Sequence, residues 1–576
     1  MYMKKLLSVL FSIIFVLLCC SCDRSSKDTG VDDDDKELVS RQIHLVNNCS
    51  EYELTHNYIN TYFYRDGNVP LIDVNTFVVS LDGFIDAEKI DYAIDESNNC
   101  LTQQWVSESY IYKMTVCWDS DQIRVNDFGY FYLTNDMKGI NYGAHNKWVD
   151  ADVSNEKSVI FNLGNYYFDI LYYQKKVLVP LPVLNLLFCS TNQTNLLYNG
   201  EEYHFYYGDP SDELVLLMRQ SKLNGTECPT DVRQATINGL LFTMDYFYGL
   251  KDSKNINHGF KSYLTKNQLD NLWDNDCAVY NAAYIQIFQR KLDELHTNLL
   301  YPSVYNSLDD KFDIFAENNI GEHWSDYYTS EKELENNYMN KLGEESAVRY
   351  EGNTAFIKFD SFSVASNDIL FDKSGNLKSD AWKYDTFYFM LNAMTSIRKR
   401  HEIENIVIDL TTNGGGVLGA MYSAIGFLTD EDIVLPRYDT LTKEFRIDYY
   451  AIDSDDDGDY EDNDAYTQYN WYILTSKNTF SAANYFVSVA KNMGIATIIG
   501  EHTGGGMCSV MYSVLADGTA YRFSSNNTMR FHYYDKESNK NIYAQIESGI
   551  SPDYEIDREY FYDLAYLNDF ISNISL

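Results

Sequence analysis

Apolar runs in the C-terminal half of the chain each end in a turn rich in small residues, and helical patterns lie between them. Three runs occupy residues 406–410, 471–475 and 496–500, and a fourth at 354–359 precedes a long helical pattern at 382–400. Apolar runs of this length that alternate with helices are typical of a parallel sheet covered on both faces. This half is therefore predicted to be α/β, with the ends of neighbouring strands close together.

The N-terminal half follows a different pattern. A chain of 576 residues is too long for one ordinary core and is expected to hold several domains. β-rich runs at 110–116, 159–161 and 166–171, separated by Asn, Asp and Gly turns, predict a mainly β domain over 41–225. Helical periodicity then predicts a helical region over 226–345, ahead of the α/β region at 346–576.

The first residues indicate export. Lys4 and Lys5 precede an apolar run that is shorter than a membrane span. The junction before Cys22 resembles a bacterial lipobox, which implies a lipoprotein signal peptide over 1–22, acylation of Cys22 and a lipid anchor at the outer membrane or cell surface. Residues 23–40 are polar and acidic and are expected to form a tether. An uncleaved signal anchor is the alternative interpretation of the apolar run.

Charge and cysteine spacing exclude some partners. The formal net charge of -40 opposes binding to nucleic acid, because the phosphates would be repelled. The cysteines beyond Cys22 show no CxxC pair, so no zinc framework is expected and their pairing stays open.

Ser481 lies where the run at 471–475 gives way to a helical pattern, within the sequence Thr-Phe-Ser-Ala-Ala. A serine at that place is either an N-cap or a nucleophile beside the unpaired amides of a helix N-terminus. The Asn-Gly-Gly-Gly turn at 413–416 offers backbone amides that no side chain obstructs. It lacks the GxxxxGK[ST] arrangement, so nucleotide binding is not expected.

Four ordered blocks resemble the signature of the C-terminal-processing (tail-specific) serine peptidase family. They are the strand at 406–410 with its glycine turn, the segment around Ser481, Gly-Glu-His-Thr-Gly-Gly at 500–505 and Gly-Ile-Ser-Pro-Asp at 549–553. The resemblance implies a crotonase-like catalytic core preceded by a helical region. It also implies hydrolysis of peptide bonds in proteins or peptides, with Ser481 as the nucleophile.

The chain departs from the Ser–Lys dyad of that family, because Gly505 stands where those members carry lysine. It resembles instead the branch that includes the tricorn protease core, which uses histidine with a carboxylate. That resemblance implies His296 as the general base and Glu547 as a supporting carboxylate, while Leu295 replaces a supporting serine of the tricorn core. Neutral imidazole suits this task because it titrates near neutral pH.

The same resemblance implies an oxyanion site built from the amides of Gly414 or Gly415 and of Ala482. His502, beside a second glycine turn, is the rival general base. Only roughly 50 residues separate His296 from the α/β region, fewer than a peptide-binding PDZ module needs. Substrate selection is therefore expected to depend on the N-terminal β domain.

An acidic loop at 453–464 matches the pattern of an EF-hand calcium site. Its possible ligands are Asp453, Asp455, Asp457, Asp459 and Asp464, with glycine at the sixth position. The twelfth position holds Asp rather than Glu, so a solvated hairpin tip is the alternative. A structural calcium ion is the one possible cofactor, and none is required for the reaction.

These observations predict an extracytoplasmic serine endopeptidase that forms an acyl-enzyme on Ser481 with His296 as general base. A catalytically silent lipoprotein that binds a ligand or peptide on the same fold is the alternative, since a fold does not guarantee activity. Glycan capture by the tyrosine-rich N-terminal domain is a third hypothesis.

Overall fold

The computed structural model describes residues 37–574 apart from 108–109, 155–156, 311–313, 344–345, 462 and 538. The predicted signal peptide, Cys22 and residues 23–36 of the predicted tether lie outside the described residues. No helix in the described part of the chain combines the length and apolarity needed to cross a membrane.

The N-terminal region is mainly β. Its strands are β1 (Leu38–Asn47), β2 (Tyr58–Tyr64), β3 (Leu71–Asp73), β4 (Asp91–Asp95), β5 (Cys100–Ser107), β6 (Tyr110–Cys117), β7 (Gln122–Val125), β8 (Asn146–Val153), β9 (Val159–Asn162), β10 (Leu171–Tyr173), β11 (Lys176–Pro180), β12 (Thr194–Tyr198) and β13 (Tyr203–Tyr207). Its helices are α1 (Val74–Ser80), α2 (Leu181–Leu184) and α3 (Asp212–Arg219). One sheet has the order β10-β11-β3-β2-β1-β13-β12, and a second has the order β4-β5-β6-β7-β9.

A disulfide between Cys100 and Cys117 joins β5 to β6, answering in part the pairing that the sequence left open. Cys49, Cys189, Cys228, Cys277 and Cys508 are free.

Two expectations for this region were wrong. Residues 166–170 are not in a strand, and β10 begins only at Leu171: a 3-10 turn ends at Tyr166, and Tyr167 adopts a left-handed conformation with φ of 57°. The chain then turns so that the Ile170 amide donates to Asp121 Oδ1, which breaks the strand pattern. The predicted tether also extends too far, because β1 begins at Leu38 and pairs with β2.

Helices dominate the middle of the chain. They are α4 (Thr230–Phe247), α5 (Phe260–Tyr263), α6 (Lys266–Leu272), α7 (Cys277–Ile285) and α8 (Glu322–Leu342), with strand β14 (Asn298–Tyr301) between the last two. A π-helix, Gln286–Leu292, continues α7 and ends at Asp293, whose φ of 45° turns the chain sharply. This turn delivers residues 294–297 into the interior.

The C-terminal region combines helices and sheets, as predicted. Its strands are β15 (Val348–Glu351), β16 (Thr354–Lys358), β17 (Asn405–Asp409), β18 (Ile433–Asp439), β19 (Phe445–Ile452), β20 (Asn470–Thr475), β21 (Thr497–Gly500), β22 (Cys508–Val514), β23 (Ala520–Asp535), β24 (Lys540–Gln545) and β25 (Tyr554–Glu555). Its helices are α9 (Asn367–Leu370), α10 (Thr386–Ile397), α11 (Leu418–Gly426), α12 (Ala482–Met493) and α13 (Leu564–Ile574). The strands β16, β17, β20, β21 and β25 pair in parallel, as the four apolar runs predict.

A further sheet joins the two halves of the chain. Its order is β14-β23-β18-β19-β8, and β22 and β24 also pair with β23. The edge strand β8 comes from the N-terminal region and pairs antiparallel with β19. The N-terminal strands and the C-terminal core therefore share a sheet.

A buried ion pair ties the helical region to this sheet. Arg233 of α4 donates to Asp517, in the turn between β22 and β23, over 2.9 Å, and both side chains are at least 98% buried. The guanidinium also lies over the ring of Tyr280, 3.5 Å from its centroid. A buried charge of this kind depends on its partner, so the pair fixes how α4 meets the sheet.

Candidate active site

Ser481 stands at the junction of a loop with α12, in an unusual backbone conformation. Its φ of 56° and ψ of -120° lie outside the regions that side chains other than glycine favour, a strain that is concentrated at functional sites. Its side chain makes no capping hydrogen bond to α12. Ser481 therefore occupies the N-cap position of α12 but does not cap the helix through its hydroxyl.

The Ser481 hydroxyl instead meets the imidazole of His296. Its Oγ lies 2.9 Å from His296 Nε2, although the two residues are 185 positions apart. His296 follows the sharp turn at Asp293, and the ring of Phe480 packs against its imidazole at 4.9 Å between centroids. The π-helix and the β20–α12 loop thus bring together the nucleophile and base predicted from sequence.

Behind His296 lies a pair of residues that the sequence did not single out. Ser524, on β23, has its Oγ 3.5 Å from His296 Nδ1 and donates to Glu294 Oε2 over 3.1 Å. Glu294 is buried and also accepts the His296 amide at 2.8 Å. With Nδ1 protonated, Ser524 can accept from His296 while it donates to Glu294, leaving Nε2 free to accept from Ser481.

Burial controls the protonation of the imidazole. Desolvation, with a smaller contribution from the positive charge of Arg522, lowers the pKa of His296 to about 3. The ring is therefore neutral at neutral pH, which is the form that accepts a proton from a serine hydroxyl.

Two residues that line the cleft beside the nucleophile have backbone amides without a partner in the described chain. They are Gly414, in the turn after β17, and Ala482, the first residue of α12. Of the two alternatives, the Gly415 amide already donates to Asn413 Oδ1 at 2.9 Å, which favours the Gly414 amide. Gly415 contributes close approach instead: a Cβ there would lie 2.8 Å from Ser481 Cβ.

The backbone conformation and surroundings of Gly505 explain why a lysine is absent at this position. Its φ is 84°, and a Cβ at this position would lie 1.8 Å from the carbonyl oxygen of Glu547. The Gly505 carbonyl oxygen accepts a hydrogen bond from the Ser481 amide, with 2.8 Å between nitrogen and oxygen. A lysine base could not be carried at this position without moving the backbone that holds the nucleophile.

Glu547 is buried near this segment and accepts the Met507 amide at 2.8 Å through Oε2. Burial raises the pKa of Glu547 to about 7, with a further contribution from nearby Glu294. No hydrogen bond joins it to Ser481 or His296 within the described residues, so its supporting role stays a prediction. His502 is exposed and bonds to the Ser548 carbonyl at 2.7 Å, outside the residues that line the cleft.

The site opens into a cleft of about 1090 Å³. Its walls come from both halves of the chain. The N-terminal region contributes Glu51, Tyr142, Gln193, Tyr207 and Asp209, while Trp324, Tyr327 and Tyr328 of α8 form an aromatic wall. The volume is large enough for several residues of a peptide.

The acidic loop brings together only some of its predicted ligands. Asp453, Asp455 and Asp457 each offer an oxygen within 4.8 Å of the others, whereas Asp459 and Asp464 lie outside this group. Asp459 accepts a hydrogen bond from the amide of Glu461, and Asp464 accepts hydrogen bonds from backbone amides at the start of the loop. His145 and Asp456 form a second group with Asp453.

Comparison with known families now adds to this geometry. Residues 354–556 match the model described as Peptidase family S41. This part of the chain is therefore similar to the domain that defines peptidase family S41. It contains Ser481, the glycine turn and Glu547, whereas His296 lies before it, and it identifies the chain as a serine-type peptidase. No curated protein matches the chain.

Several solved structures resemble parts of the chain. A putative peptidase from Parabacteroides merdae is 17% identical, with 56% of this chain and 90% of that one covered and a TM-score of 0.37. The photosystem II D1 C-terminal processing protease is 21% identical over 36% of this chain and 43% of its own, with a TM-score of 0.25. The tricorn protease is 11% identical over 94% and 63%, with a TM-score of 0.28. At these identities and TM-scores the structures carry no argument about activity.

Glu294 and Ser524 are the functional candidates that sequence reasoning missed. Glu294 could have been noticed, because it stands two residues before His296. Ser524 gave no local signal, since only the pairing of β23 with β14 carries it to the imidazole.

Proposed function

We propose that this protein is an endopeptidase in which Ser481 forms an acyl-enzyme. His296 acts as general base, and the buried Glu294 supports it. The observation that carries the proposal is the 2.9 Å contact between Ser481 Oγ and His296 Nε2 beside the unpartnered amides of Gly414 and Ala482. Neither a strained serine nor a buried histidine would be decisive alone, but their direct contact matches the geometry of nucleophilic catalysis.

Acylation uses these groups in turn. Ser481 Oγ bonds to the carbonyl carbon of the scissile peptide as its proton passes to His296 Nε2. The resulting oxyanion accepts from the amides of Gly414 and Ala482, an interaction worth about 3–4 kcal/mol per donor. The C–N bond then breaks, and the imidazolium returns its proton to the leaving amine.

Deacylation follows the acylation steps in reverse order, with water in place of the leaving amine. His296 takes a proton from a water molecule, whose oxygen attacks the acyl carbon. The ester bond between that carbon and Ser481 Oγ then breaks, which releases the carboxylic acid product, and the imidazolium returns its proton to Ser481 Oγ. Ser524 and Glu294 stabilise the imidazolium that forms in each half-reaction, because the hydroxyl can accept from Nδ1–H while it donates to the carboxylate.

Fluorophosphonate labelling tests the nucleophile directly. The folded protein is expected to take up one label at Ser481, and Ser481→Ala is expected to abolish it. Ser509→Ala is the matched control, because Ser509 lines the same cleft without contacting His296. Absence of labelling in folded wild type would favour the silent binding protein. Labelling that survives in Ser481→Ala would mean that another residue reacts and would contradict Ser481 as the nucleophile.

We also propose that the protein is lipid-anchored through Cys22 at the cell envelope. The disulfide between Cys100 and Cys117 supports an oxidising compartment, because such bonds are rare in the cytoplasm. Mass spectrometry of the N-terminal peptide should find acyl chains on Cys22, and Cys22→Ala should move the protein from the membrane to the soluble fraction. An unmodified Cys22 in membrane-bound protein would contradict the anchor.

We further propose that Asp453, Asp455 and Asp457 hold a structural calcium ion. Three carboxylates are the oxygen donors that this hard cation prefers. Calcium added to chelator-treated protein should raise the melting temperature, and Asp455→Asn should reduce that rise. An unchanged melting temperature would contradict the site.

A further inference from the structure

We propose that Arg522 is a carboxylate-binding subsite beside the nucleophile, so that the enzyme prefers peptides with a carboxylate close to the scissile bond. The carboxylate can be an Asp or Glu side chain or the C-terminus of a short peptide. This inference rests on the proposed peptidase activity and names the substrate class of the same cleft.

The position of Arg522 follows from the alternation of side chains along β23. Residues two apart in a strand point to the same face and are about 7 Å apart. Ser524 contacts His296, so Arg522 emerges on the same face and lines the cleft. The intervening Phe523 and the preceding Tyr521 are fully buried on the opposite face.

The guanidinium is held in place but keeps donors for a ligand. Its Nε donates to Asn298 Oδ1 over 2.6 Å, and the guanidinium also bonds to the side chain of Tyr512, which lies opposite Arg522 across the β22–β23 ladder. Within the described chain no carboxylate lies within 4.0 Å of it, whereas Arg233, Arg437, Arg446 and Arg558 each have an acidic partner. Arg522 is therefore a half-buried cation without an ion pair in a chain of net charge -40.

The charges that surround Arg522 sharpen this selectivity. Besides His296, the titratable groups that face it from neighbouring elements are Asp209, Tyr328 and Tyr512. Burial raises the pKa of Asp209 and Arg522 opposes that rise, so the two interact at a distance without pairing. With Asp209 and Glu51 on the walls, a substrate carboxylate would be repelled elsewhere in the cleft and attracted at Arg522.

The planar guanidinium suits this ligand. Its terminal N–H groups form a rigid fork that matches both oxygens of a carboxylate, and charge-assisted bonds of this kind are stronger than neutral ones. Fixing the fork through Asn298 reduces the side-chain entropy lost on binding. We expect a preference of about 10- to 100-fold in kcat/KM for a carboxylate over its uncharged counterpart.

The test compares kcat/KM on matched peptide sets. One set carries Glu, Gln or Lys at positions flanking the cleavage site, with amidated C-termini; a second has neutral side chains and ends in either a free acid or an amide. Wild type should favour Glu over Gln in the first set, the free acid over the amide in the second, or both. The two sets thereby identify the source of the carboxylate.

Variants then assign the preference to Arg522. Arg522→Gln should reduce the ratio of carboxylate to neutral substrate to about one, and Arg522→Glu should favour Lys peptides, as expected for a single charged partner. Arg124→Gln is the matched control for charge removal, because the exposed Arg124 side chain bonds to Gln122 in the N-terminal sheet and does not line the cleft. It should leave the ratio unchanged.

Equal kcat/KM values for charged and neutral peptides in wild type would overturn the inference. This comparison needs no variant, so the test stands even if Arg522→Gln does not fold. A preference that persists in folded Arg522→Gln would also overturn it. Fluorophosphonate labelling separates this failure from failure of the proposed function: a labelled Ser481 without a carboxylate preference removes only the subsite, whereas an unlabelled Ser481 removes the peptidase itself.

Discussion

Replacing Ser524 with alanine isolates the contribution of the residues behind the catalytic imidazole. The hydroxyl lies 3.5 Å from His296 Nδ1 and donates to Glu294 at 3.1 Å. Ser524→Ala removes both interactions but leaves the contact between Ser481 and His296 in place. It therefore tests whether Glu294 acts through Ser524 on the base.

The magnitude follows from the charge that develops during the reaction. In the ground state the imidazole is neutral, and its bond to Ser524 is an ordinary one. In the transition state the ring becomes an imidazolium, and the chain to Glu294 is charge-assisted, worth about 1.5–3 kcal/mol. Because the gain arises mainly in the transition state, kcat should fall about 10- to 150-fold with little change in KM.

Steady-state kinetics on one peptide substrate, together with the rate of fluorophosphonate labelling, measures this effect. Ser525→Ala is the matched control, because Ser525 is a buried serine on the opposite face of the same strand. Its kcat should stay within about twofold of wild type, since no catalytic bond is lost. Ser524→Thr keeps a hydroxyl and should recover part of the loss.

A double-mutant cycle completes the test. If the two residues act as one unit, adding Glu294→Gln to Ser524→Ala should cost much less than Glu294→Gln costs alone. The reasoning is refuted if Ser524→Ala keeps kcat within about twofold of wild type while the protein remains folded. It is equally refuted if Glu547→Gln alone produces the loss expected here, since Glu547 would then be the supporting carboxylate.

Three further predictions use other parts of the structure. Because burial raises the pKa of Glu547 from 4.5 to about 7, the stability that its neutral form contributes is complete below pH 4.5 and is lost as the pH rises through 7. Chemical denaturation at pH 5 and at pH 8 should reveal a loss of about 2.5 kcal/mol in wild type that Glu547→Gln lacks. Gly505→Ala should lower both the melting temperature and the labelling of Ser481, because its Cβ would meet the Glu547 carbonyl, whereas Gly375→Ala, with open space around its Cβ, should leave labelling unchanged. Asp517→Asn leaves the Arg233 charge buried without its partner and should destabilise the protein by about 3–5 kcal/mol in chemical denaturation, with a cost below about 1 kcal/mol contradicting the ion pair.

The sequence predicted those parts of the fold that depend on local pattern. The parallel strands were visible as apolar runs because both of their faces are buried. The strands β6 and β9 are partly exposed and were found instead from β-rich runs between turn residues. The run at 166–171 failed because its aromatic residues have strand propensity, whereas a left-handed Tyr167 closes a 3-10 turn there. Propensity carries no information about that single backbone angle.

The site was predictable only in part, because its residues come from distant segments. A family resemblance linked Ser481 with His296, but the alternative roles of Gly414 and Gly415 could not be separated without knowing that Asn413 Oδ1 takes the Gly415 amide. Ser524 depended on strand register, which no local pattern specifies across 228 positions. Long-range register is set by packing and stays invisible in the sequence.

The N-terminal β region is best understood as part of the active site rather than as an appended module. Asn146, at the start of β8, donates to the Gly419 carbonyl at 2.9 Å and accepts from Ser423 at 2.9 Å, so it fixes helix α11. A Cβ on Gly419 would lie 1.7 Å from the Tyr142 carbonyl, which shows how closely the preceding loop approaches the same helix. Because α11 begins two residues after the glycine turn, the segment that places Tyr142 in the cleft also supports the turn that carries the Gly414 amide. In the proposed mechanism, selection of a substrate and stabilisation of the oxyanion would therefore depend on the same contact between the two halves of the chain.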